Sequence, residues 1–173
     1  MAITNDAAIA TILREIREYG WKERFVSTRI GINSRLDPIQ AAILDVKLKS
    51  LAEDNARRQA IASRYDSGLA GLPLIAPARR ADAIHVFHQY VIRLAERDAL
   101  REQLRAAGIG TGVHYPIPVH LQPAYRNRCA AGPSGLSLTE RAARQILSLP
   151  MYPQLSDADI DHVISEISGF FAN

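Results

Sequence analysis

The sequence predicts an α/β protein in which a long helix leads into a small α/β sandwich. Residues 85–94 alternate apolar with other side chains and are rich in β-forming residues, which predicts a strand. A helix at 98–107 and a short strand at 111–115 follow, and strand–helix–strand units with further helices build small sandwiches of this class. Ahead of them, residues 37–69 carry the start signal and the apolar positions of one long helix.

Composition excludes several functional classes. The chain has 173 residues, 47% hydrophobic and 23% charged, which is typical of an ordinary globular protein. Its formal charge is only +3 and its arginines are spread among acidic residues, so we expect no nucleic-acid partner.

No apolar run approaches the ~18 residues of a membrane span, and the first residues do not resemble a signal peptide, so we expect a cytoplasmic protein without a membrane segment. The single cysteine, Cys129, lacks His or Cys neighbours at ligand spacing, which predicts no disulfide and no metal site.

The N-terminal segment predicts one helix between two irregular stretches. Asn5 or Asp6 can cap a helix that runs to about Tyr19 and ends at Gly20. Residues 21–36 show no clear period and are predicted to be a loop. Because the chain opens on half a strand and one helix, we expect it to be cut from something larger.

The helix predicted at 37–69 is unusually long. Asp37 can accept hydrogen bonds at its N-terminus, and Pro38 suits the first turn. At roughly 1.5 Å per residue the helix would reach about 45 Å, which exceeds the width of a small domain. We therefore expect it to bridge domains or lie on a partner, although the drifting spacing of its apolar residues allows a break.

The C-terminal part is predicted as short elements. Gly108 stops the helix at 98–107, and Ser156 with Asp159 resembles a capping box that opens a last helix. The other predicted elements are a long loop at 121–136, a helix at 137–147, an extended segment at 150–153 and the last helix, to about residue 170.

Two loops carry more polar groups than structure alone requires. Asn33 and Arg35 alternate ahead of the helix N-terminus at Asp37, an arrangement suited to an anion such as phosphate or carboxylate. The alternative is that Asn33 only satisfies the turn and that Arg35 pairs with a surface acid.

The second loop, residues 108–120, contains three glycines followed by His114, Tyr115 and His120. Histidine and tyrosine can donate to sugar hydroxyls or phosphate and can stack on rings. The alternative is a core tyrosine and a histidine satisfied within the protein.

The lysines set a limit on the chemistry. A lysine that forms a Schiff base needs a desolvated or electropositive setting. None of the three lysines (Lys22, Lys47 and Lys49) has such a sequence context, and no short motif of a self-sufficient enzyme is present.

Three segments together resemble one family. Residues 31–42, GINSRLDPIQAA, resemble the G-x-N-x-R-x-D-x-x-Q-A-A segment of the DegT/DnrJ/EryC1/StrS aminotransferases. Residues 108–125, GIGTGVHYPIPVHLQPAY, resemble their motif with a G-I-x-T start, an H-Y pair and a Q-P-x-Y end. Residues 149–153, LPMYP, resemble their L-P-M-x-P element. The likeness covers nearly the whole chain.

The resemblance implies the C-terminal part of a fold-type I aminotransferase that depends on pyridoxal phosphate. Such enzymes, usually homodimers, transfer an amino group from glutamate or a similar amino acid to a keto-sugar linked to a nucleotide. By position, Asn33 resembles the asparagine that reaches the cofactor phosphate of the neighbouring subunit, and Arg35 the partner-subunit arginine near the substrate. His114 and Tyr115 resemble residues that border the nucleotide-sugar site, and His120 of the same motif is assigned to substrate binding with them.

The sequence departs from the family at its N-terminus. In the family, a lysine in an S-x-x-x-x-K context precedes a G-D-G-G-A stretch, a strand and T-N-D; here residues 2–6, AITND, resemble that strand and T-N-D. The Schiff-base lysine would belong upstream, so we expect this chain to bind no cofactor covalently and to be inactive alone. The resemblance implies a remnant of the large domain at 1–36, an interdomain helix and connector at 37–72, and a small C-terminal domain at 73–173.

The role of such a chain stays open between two classes. It is either the C-terminal portion of an aminotransferase, or a catalytically silent binding, dimerisation or regulatory module with the same fold. In both cases we expect a homo-oligomer or association with a full-length homologue.

Overall fold

The chain forms two compact units, Met1–Ser50 and Leu51–Asn173. The computed structural model describes residues 2–126, 128 and 131–172. The expectation for Cys129 falls outside the described residues.

The first unit contains two helices and a short hairpin. Helix α1 spans Ala7–Arg17, and the Asp6 side chain caps it by accepting hydrogen bonds from two backbone N–H groups at 2.8 and 3.1 Å, as predicted. Strands β1 (Trp21–Glu23) and β2 (Val26–Ser27) pair antiparallel. The prediction of a loop throughout 21–36 was therefore wrong for the hairpin, whose two strands are too short to show a period of two.

The long helix predicted at 37–69 is two helices. Helix α2 spans Pro38–Leu48 and helix α3 spans Leu51–Gly68, separated by a turn at residues 49–50. The division between the two units falls at this turn. The break that the drifting apolar spacing allowed therefore lies at residues 49–50, and α3, with 18 residues, is about 27 Å long.

The first unit does not bury a core of its own. Among its described residues no apolar side chain is buried, and Ile30 is 98% exposed. On α2, the same helical face carries Ile39, Ile43 and Val46, which are 71%, 54% and 65% exposed. Since burying one such side chain contributes roughly 1.5–3 kcal/mol, the uncovered residues of this unit leave on the order of 10 kcal/mol of hydrophobic stabilisation unused.

The second unit is built on a two-stranded antiparallel sheet. Strand β3 (Tyr90–Arg93) pairs with β4 (Ile146–Leu149), with Tyr90 opposite Leu149 and Arg93 opposite Ile146. The remaining elements are helix α4 (Arg97–Ala106), a 3₁₀ turn (Val119–Leu121), helix α5 (Ser137–Gln145) and helix α6 (Asp157–Ala172). Helix α6 packs on α3 and α4, and a core of Ile, Leu, Tyr and Phe side chains lies between the helices and the sheet. This is the predicted α/β sandwich.

Two predicted strands are shorter than expected. The strand at 85–94 is confirmed only for Tyr90–Arg93. Phe87 has φ +47°, and its N–H donates to His85 Nδ1 at 2.9 Å. These residues therefore form a local turn and not a strand paired with a neighbour. The strand at 111–115 is reduced to one bridge, between Gly112 and Ser148.

The helix predicted at 137–147 ends at Gln145, and the next four residues form β4. These residues, Ile-Leu-Ser-Leu, are mostly apolar and are buried at three of the four positions. A short buried run has no period that separates strand from helix. The cap of the last helix is confirmed, since Asp159 N–H donates to Ser156 Oγ at 3.1 Å.

Arg97 joins three elements at the start of β4. The residue is 7% exposed, and its guanidinium donates to the carbonyl oxygens of Ala143 (3.3 Å) and Ile146 (2.9 Å) and to Asp98 Oδ1 (2.6 Å). The two carbonyls lie where α5 ends and β4 begins, so Arg97 satisfies groups that the helix cannot.

We expect Arg97→Met to lower the free energy of unfolding by about 2–4 kcal/mol, because it keeps the aliphatic bulk but leaves two carbonyls without a donor. Urea unfolding followed by circular dichroism measures the change. The matched control is Arg101→Met on the exposed side of the same helix, which should change stability by less than about 0.5 kcal/mol. Equal effects of the two substitutions would contradict this role.

Two buried tyrosines tie the core to the backbone and to an acid. Tyr65 donates to the carbonyl of Pro150 at 3.0 Å, Tyr90 donates to Asp66 Oδ1 at 2.6 Å, and their rings lie 5.0 Å apart. Arg79 pairs with the same aspartate. Burial raises the pKa of both hydroxyls well above the ordinary value, and for Tyr90 the bond to Asp66 adds to the rise.

These two tyrosines predict a loss of stability at alkaline pH. Above about pH 10 the unfolded chain releases its tyrosine protons while the folded chain keeps them, so each tyrosine lowers stability by up to about 1.4 kcal/mol per pH unit. Urea unfolding between about pH 8 and 11 should show this slope, and the double variant Tyr65→Phe, Tyr90→Phe should flatten it. Tyr125→Phe, at an exposed position, serves as the control and should keep the wild-type slope. A slope unchanged in the double variant would refute the assignment.

Candidate functional site

The first predicted loop packs against the end of α1 through backbone contacts. Ile32 N–H donates to Ile16 O at 2.8 Å, and Tyr19 N–H donates to Ile32 O at 3.0 Å. A Cβ at Gly31 would lie 2.0 Å from the backbone nitrogen of Gly20, so only glycine permits this approach. The glycine of the motif is thus a structural requirement.

Asn33 and Arg35 both contact Glu18, the first through its backbone and the second through its side chain. Asn33 forms an isolated backbone bridge with Glu18, and Arg35 Nη2 lies 2.6 Å from Glu18 Oε2. This is the pairing with a surface acid that the sequence left open as an alternative. Both partners are partly exposed, so the ion pair contributes less than about 1 kcal/mol and is easily exchanged for another anion. The Asn33 side chain is exposed and has no recorded hydrogen bond among the described residues, which leaves its amide available.

Arg35 also borders an open, largely apolar groove of about 970 Å³ in the first unit. Leu13, Ile32 and Leu36 are among its lining residues, and Arg14 stands beside them. The helix that follows begins with Asp37 N–H donating to Gln40 Oε1 at 3.1 Å, so the Asp and Gln of the motif are used in capping.

The second predicted loop is held by β4. Gly112 and Ser148 exchange two backbone hydrogen bonds, of 3.1 and 2.7 Å, and His114 Nδ1 lies 2.9 Å from Ser148 Oγ. His114 and Tyr115 are both exposed, with their rings edge to face at 5.7 Å. Tyr115 is 73% exposed, which rules out the core tyrosine that the sequence allowed as an alternative.

His120 occupies a different setting. It lies in the 3₁₀ turn, and its Nε2 is 3.1 Å from Glu140 Oε1 of α5, with 16% of its side chain exposed. In this position it anchors the loop to α5, and its Nε2 reaches a ligand only if Glu140 releases it. Asn33 and Arg35 thus belong to the first unit, and His114, Tyr115 and His120 to the second.

The third motif is fixed to α3. Tyr65 and Arg58 donate to the carbonyls of Pro150 and Met151, both at 3.0 Å, and Arg57 donates to Leu155 O at 2.7 Å. The LPMYP segment is therefore held along its backbone, and its first residue, Leu149, belongs to the core.

The described residues offer neither a metal site nor a membrane segment. Within the described ranges, no three His, Cys, Asp or Glu side chains are grouped so that they could hold a metal ion. Over the same ranges, every helix is too short or too polar to cross a bilayer. All three lysines are exposed (Lys22, Lys47 and Lys49).

Comparison with known proteins matches residues 1–168 to the model of the DegT/DnrJ/EryC1/StrS aminotransferase family. The chain belongs to this family. It is 44% identical to dTDP-3-amino-3,4,6-trideoxy-alpha-D-glucose transaminase of Streptomyces venezuelae over 95% of its own length. It is 40% identical to UDP-2-acetamido-2-deoxy-3-oxo-D-glucuronate aminotransferase of Pseudomonas aeruginosa, also over 95% of its length. It spans 44% and 45% of the length of these two relatives.

Solved structures of the family have the same fold. DesV of S. venezuelae, in complex with a ketimine intermediate, matches 99% of this chain with a TM-score of 0.89 and 41% identity. A family aminotransferase from Brucella abortus matches with a TM-score of 0.90, also at 41% identity. The chain covers 46% of each of these two structures. The predicted family and fold class, the C-terminal part of a fold-type I aminotransferase, are therefore confirmed.

Three residues at the candidate site were not predicted. Through their side chains, Glu18 contacts Arg35, Glu140 contacts His120 and Ser148 contacts His114, at separations of 17, 20 and 34 positions along the chain. Glu18 and Glu140 look like ordinary surface charges of helices in the sequence, and Ser148 lay in a segment predicted to run from a helix into an extended stretch. No local signal marks such long-range partners.

Proposed function

We propose that this chain forms part of an aminotransferase that depends on pyridoxal phosphate and moves an amino group from an amino acid, with glutamate the expected donor, to a keto-sugar linked to a nucleotide. The observation that carries the proposal is the family match over residues 1–168, together with relatives whose names specify dTDP- and UDP-sugar amination. Since the chain spans under half of those relatives, the activity is proposed for the complete assembly rather than for these 173 residues alone.

The described residues can bind the phosphate of the cofactor, but they offer no suitable lysine for its aldehyde. Bacillus subtilis NtdA, 27% identical to this chain, was solved with the related cofactor PMP bound. In this chain, the free amide of Asn33 and the guanidinium of Arg35 can bind phosphate or carboxylate oxygens. The three lysines do not fit the aldehyde end, because an exposed ammonium lacks the desolvation that a Schiff-base lysine needs. We therefore assign the cofactor's covalent partner to another polypeptide segment.

The second unit would face the nucleotide-sugar. His114 and Tyr115 present a ring nitrogen and a phenol to solvent from a loop fixed by β4, and both can bond sugar hydroxyls or phosphate oxygens. His120 contributes by holding the loop on α5, and its own contact with substrate requires the loss of its bond to Glu140.

A catalytically silent association module is the second candidate. The exposed apolar residues of the first unit favour it, because such a surface is typical of protein–protein contacts. In either role the chain would work as a homo-oligomer or with a full-length homologue.

The lysine assignment predicts no covalent cofactor adduct. Incubation of the pure chain with pyridoxal phosphate and then borohydride should label no single lysine stoichiometrically, as measured by mass spectrometry of peptides. A stoichiometric adduct at Lys22, Lys47 or Lys49 would overturn it.

The role of Asn33 can be tested by subunit complementation. A full-length relative is prepared with alanine at the position that matches Asn33, which should remove its activity on a dTDP- or UDP-keto-sugar. Adding this chain should restore activity if Asn33 serves the neighbouring subunit, whereas its Asn33→Ala variant should restore none.

Asn5→Ala, a change of the same type at another exposed position of the first unit, serves as the control and should restore activity like the wild type. Sedimentation of the mixture reports association separately. A complex that forms without activity would refute the role of Asn33 and favour the silent module.

The exposed apolar face predicts self-association. We expect light scattering to give a mass above the 19.1 kDa of one chain. Ile43→Glu on the apolar face of α2 should shift the distribution toward the monomer, while Leu138→Glu, at a position 69% exposed on α5, should not. A monodisperse wild-type monomer that resists thermal unfolding would contradict the prediction.

A further inference from the structure

The buried hydroxyl of Ser148 contacts the imidazole of His114 in the second loop. Ser148 is 6% exposed, and its hydroxyl oxygen lies 2.9 Å from His114 Nδ1. Its backbone is bonded to Gly112 on one side, while β4 pairs with β3 on the other, Ser148 standing opposite Val91. The hydroxyl therefore has a fixed position relative to the loop that carries His114.

Gly112 leaves free the space that the imidazole ring of His114 occupies. A Cβ at this position would lie 2.5 Å from His114 Cε1, 3.2 Å from Nε2 and 3.3 Å from Nδ1. The ring thus lies directly over the glycine, and any other residue would push it away. Ser148 therefore contacts the Nδ1 side of a ring that Gly112 allows to lie against the backbone.

The burial of Ser148 also favours one of the two neutral tautomers of His114. A serine hydroxyl can donate one hydrogen bond and accept up to about two others. Among the described residues, its only recorded side-chain hydrogen bond is with His114 Nδ1. If Nδ1 were protonated, the buried hydroxyl proton would lack an acceptor. The favoured arrangement has Ser148 donating to an unprotonated Nδ1, so that the proton of the neutral ring resides on Nε2.

We propose that Ser148 is a positioning residue that holds His114 in the Nε2–H tautomer and so presents a fixed N–H donor at an exposed position. This deepens the proposed function and rests on it in one respect, the identity of the ligand. An N–H donor there selects a group that accepts hydrogen bonds, which a nucleotide-sugar supplies through its phosphate and hydroxyl oxygens.

Long-range proton–nitrogen NMR of the ¹⁵N-labelled chain tests the positioning, since it distinguishes protonated from unprotonated ring nitrogens. Above about pH 8, where an ordinary histidine is neutral, His114 should show a single form with Nδ1 unprotonated. His162, exposed on α6, is an internal reference for a free ring. Ser148→Ala should move the His114 signals toward those of His162, and Ser148→Thr, which keeps the hydroxyl, should restore them.

A wild-type spectrum with protonated Nδ1 overturns the proposal, and so does an unchanged spectrum in Ser148→Ala. If Ser148→Ala fails to fold, the spectra of the wild type and of Ser148→Thr decide, and a protonated Nδ1 in either one overturns the proposal. Adding UDP to the wild-type chain tests the ligand separately, because it should shift His114 Nε2. A fixed tautomer that does not respond to UDP would refute the nucleotide site and leave the positioning role standing.

Discussion

The second unit depends on the backbone pairing of β4. Four residues, Ile146–Leu149, pair with β3 on one side and with Gly112 on the other. Arg97 satisfies the carbonyls where the strand begins, and Tyr65 bonds the carbonyl of the residue that follows its end. Because β4 lies between β3 and Gly112, a displacement of β4 would also displace the loop that carries His114. Burying the charge of Arg97 costs desolvation free energy, which its hydrogen bonds at the start of β4 offset.

In the first motif, most of the residues have structural contacts and one does not. Gly31 permits backbone contact, Asp37 with Gln40 starts α2, and Arg35 is paired with Glu18. Asn33 is the member whose side chain has no structural task among the described residues. A polar side chain that serves no local contact on a constrained backbone is the pattern of a binding residue, and this supports the role proposed for it.

The sequence predicted the elements whose signals are local. Asp6 and Ser156 mark helix starts through side-chain oxygens that accept from nearby backbone N–H groups, and Asp37 with Pro38 marks one through residue types suited to a first turn. All three helices begin at these positions. The hairpin at 21–27 was missed because its two strands are too short to show a period of two. Strand β4 was missed because it forms by pairing with the distant residues of β3.

The candidate site shows the same division. The sequence proposed its candidate residues from motifs, since a motif specifies residue types at short spacing: Asn33, Arg35, His114, Tyr115 and His120. Their partners could not be found in this way, because Ser148 reaches His114 across 34 positions only after β4 has formed.

The two halves of the proposed chemistry place opposite demands on a protein surface. Binding a phosphate or a sugar requires polar groups that stay accessible, and the exposed amide of Asn33 and ring of His114 meet that demand. Activating a lysine requires the removal of water around an amine, which only a buried core or a covered interface provides. The first unit has no buried apolar side chain among its described residues, so it cannot create such a setting by itself. A partner that covers the apolar side chains that α1 and α2 leave exposed would therefore add hydrophobic stabilisation to the first unit and remove water from the apolar groove that Arg35 borders.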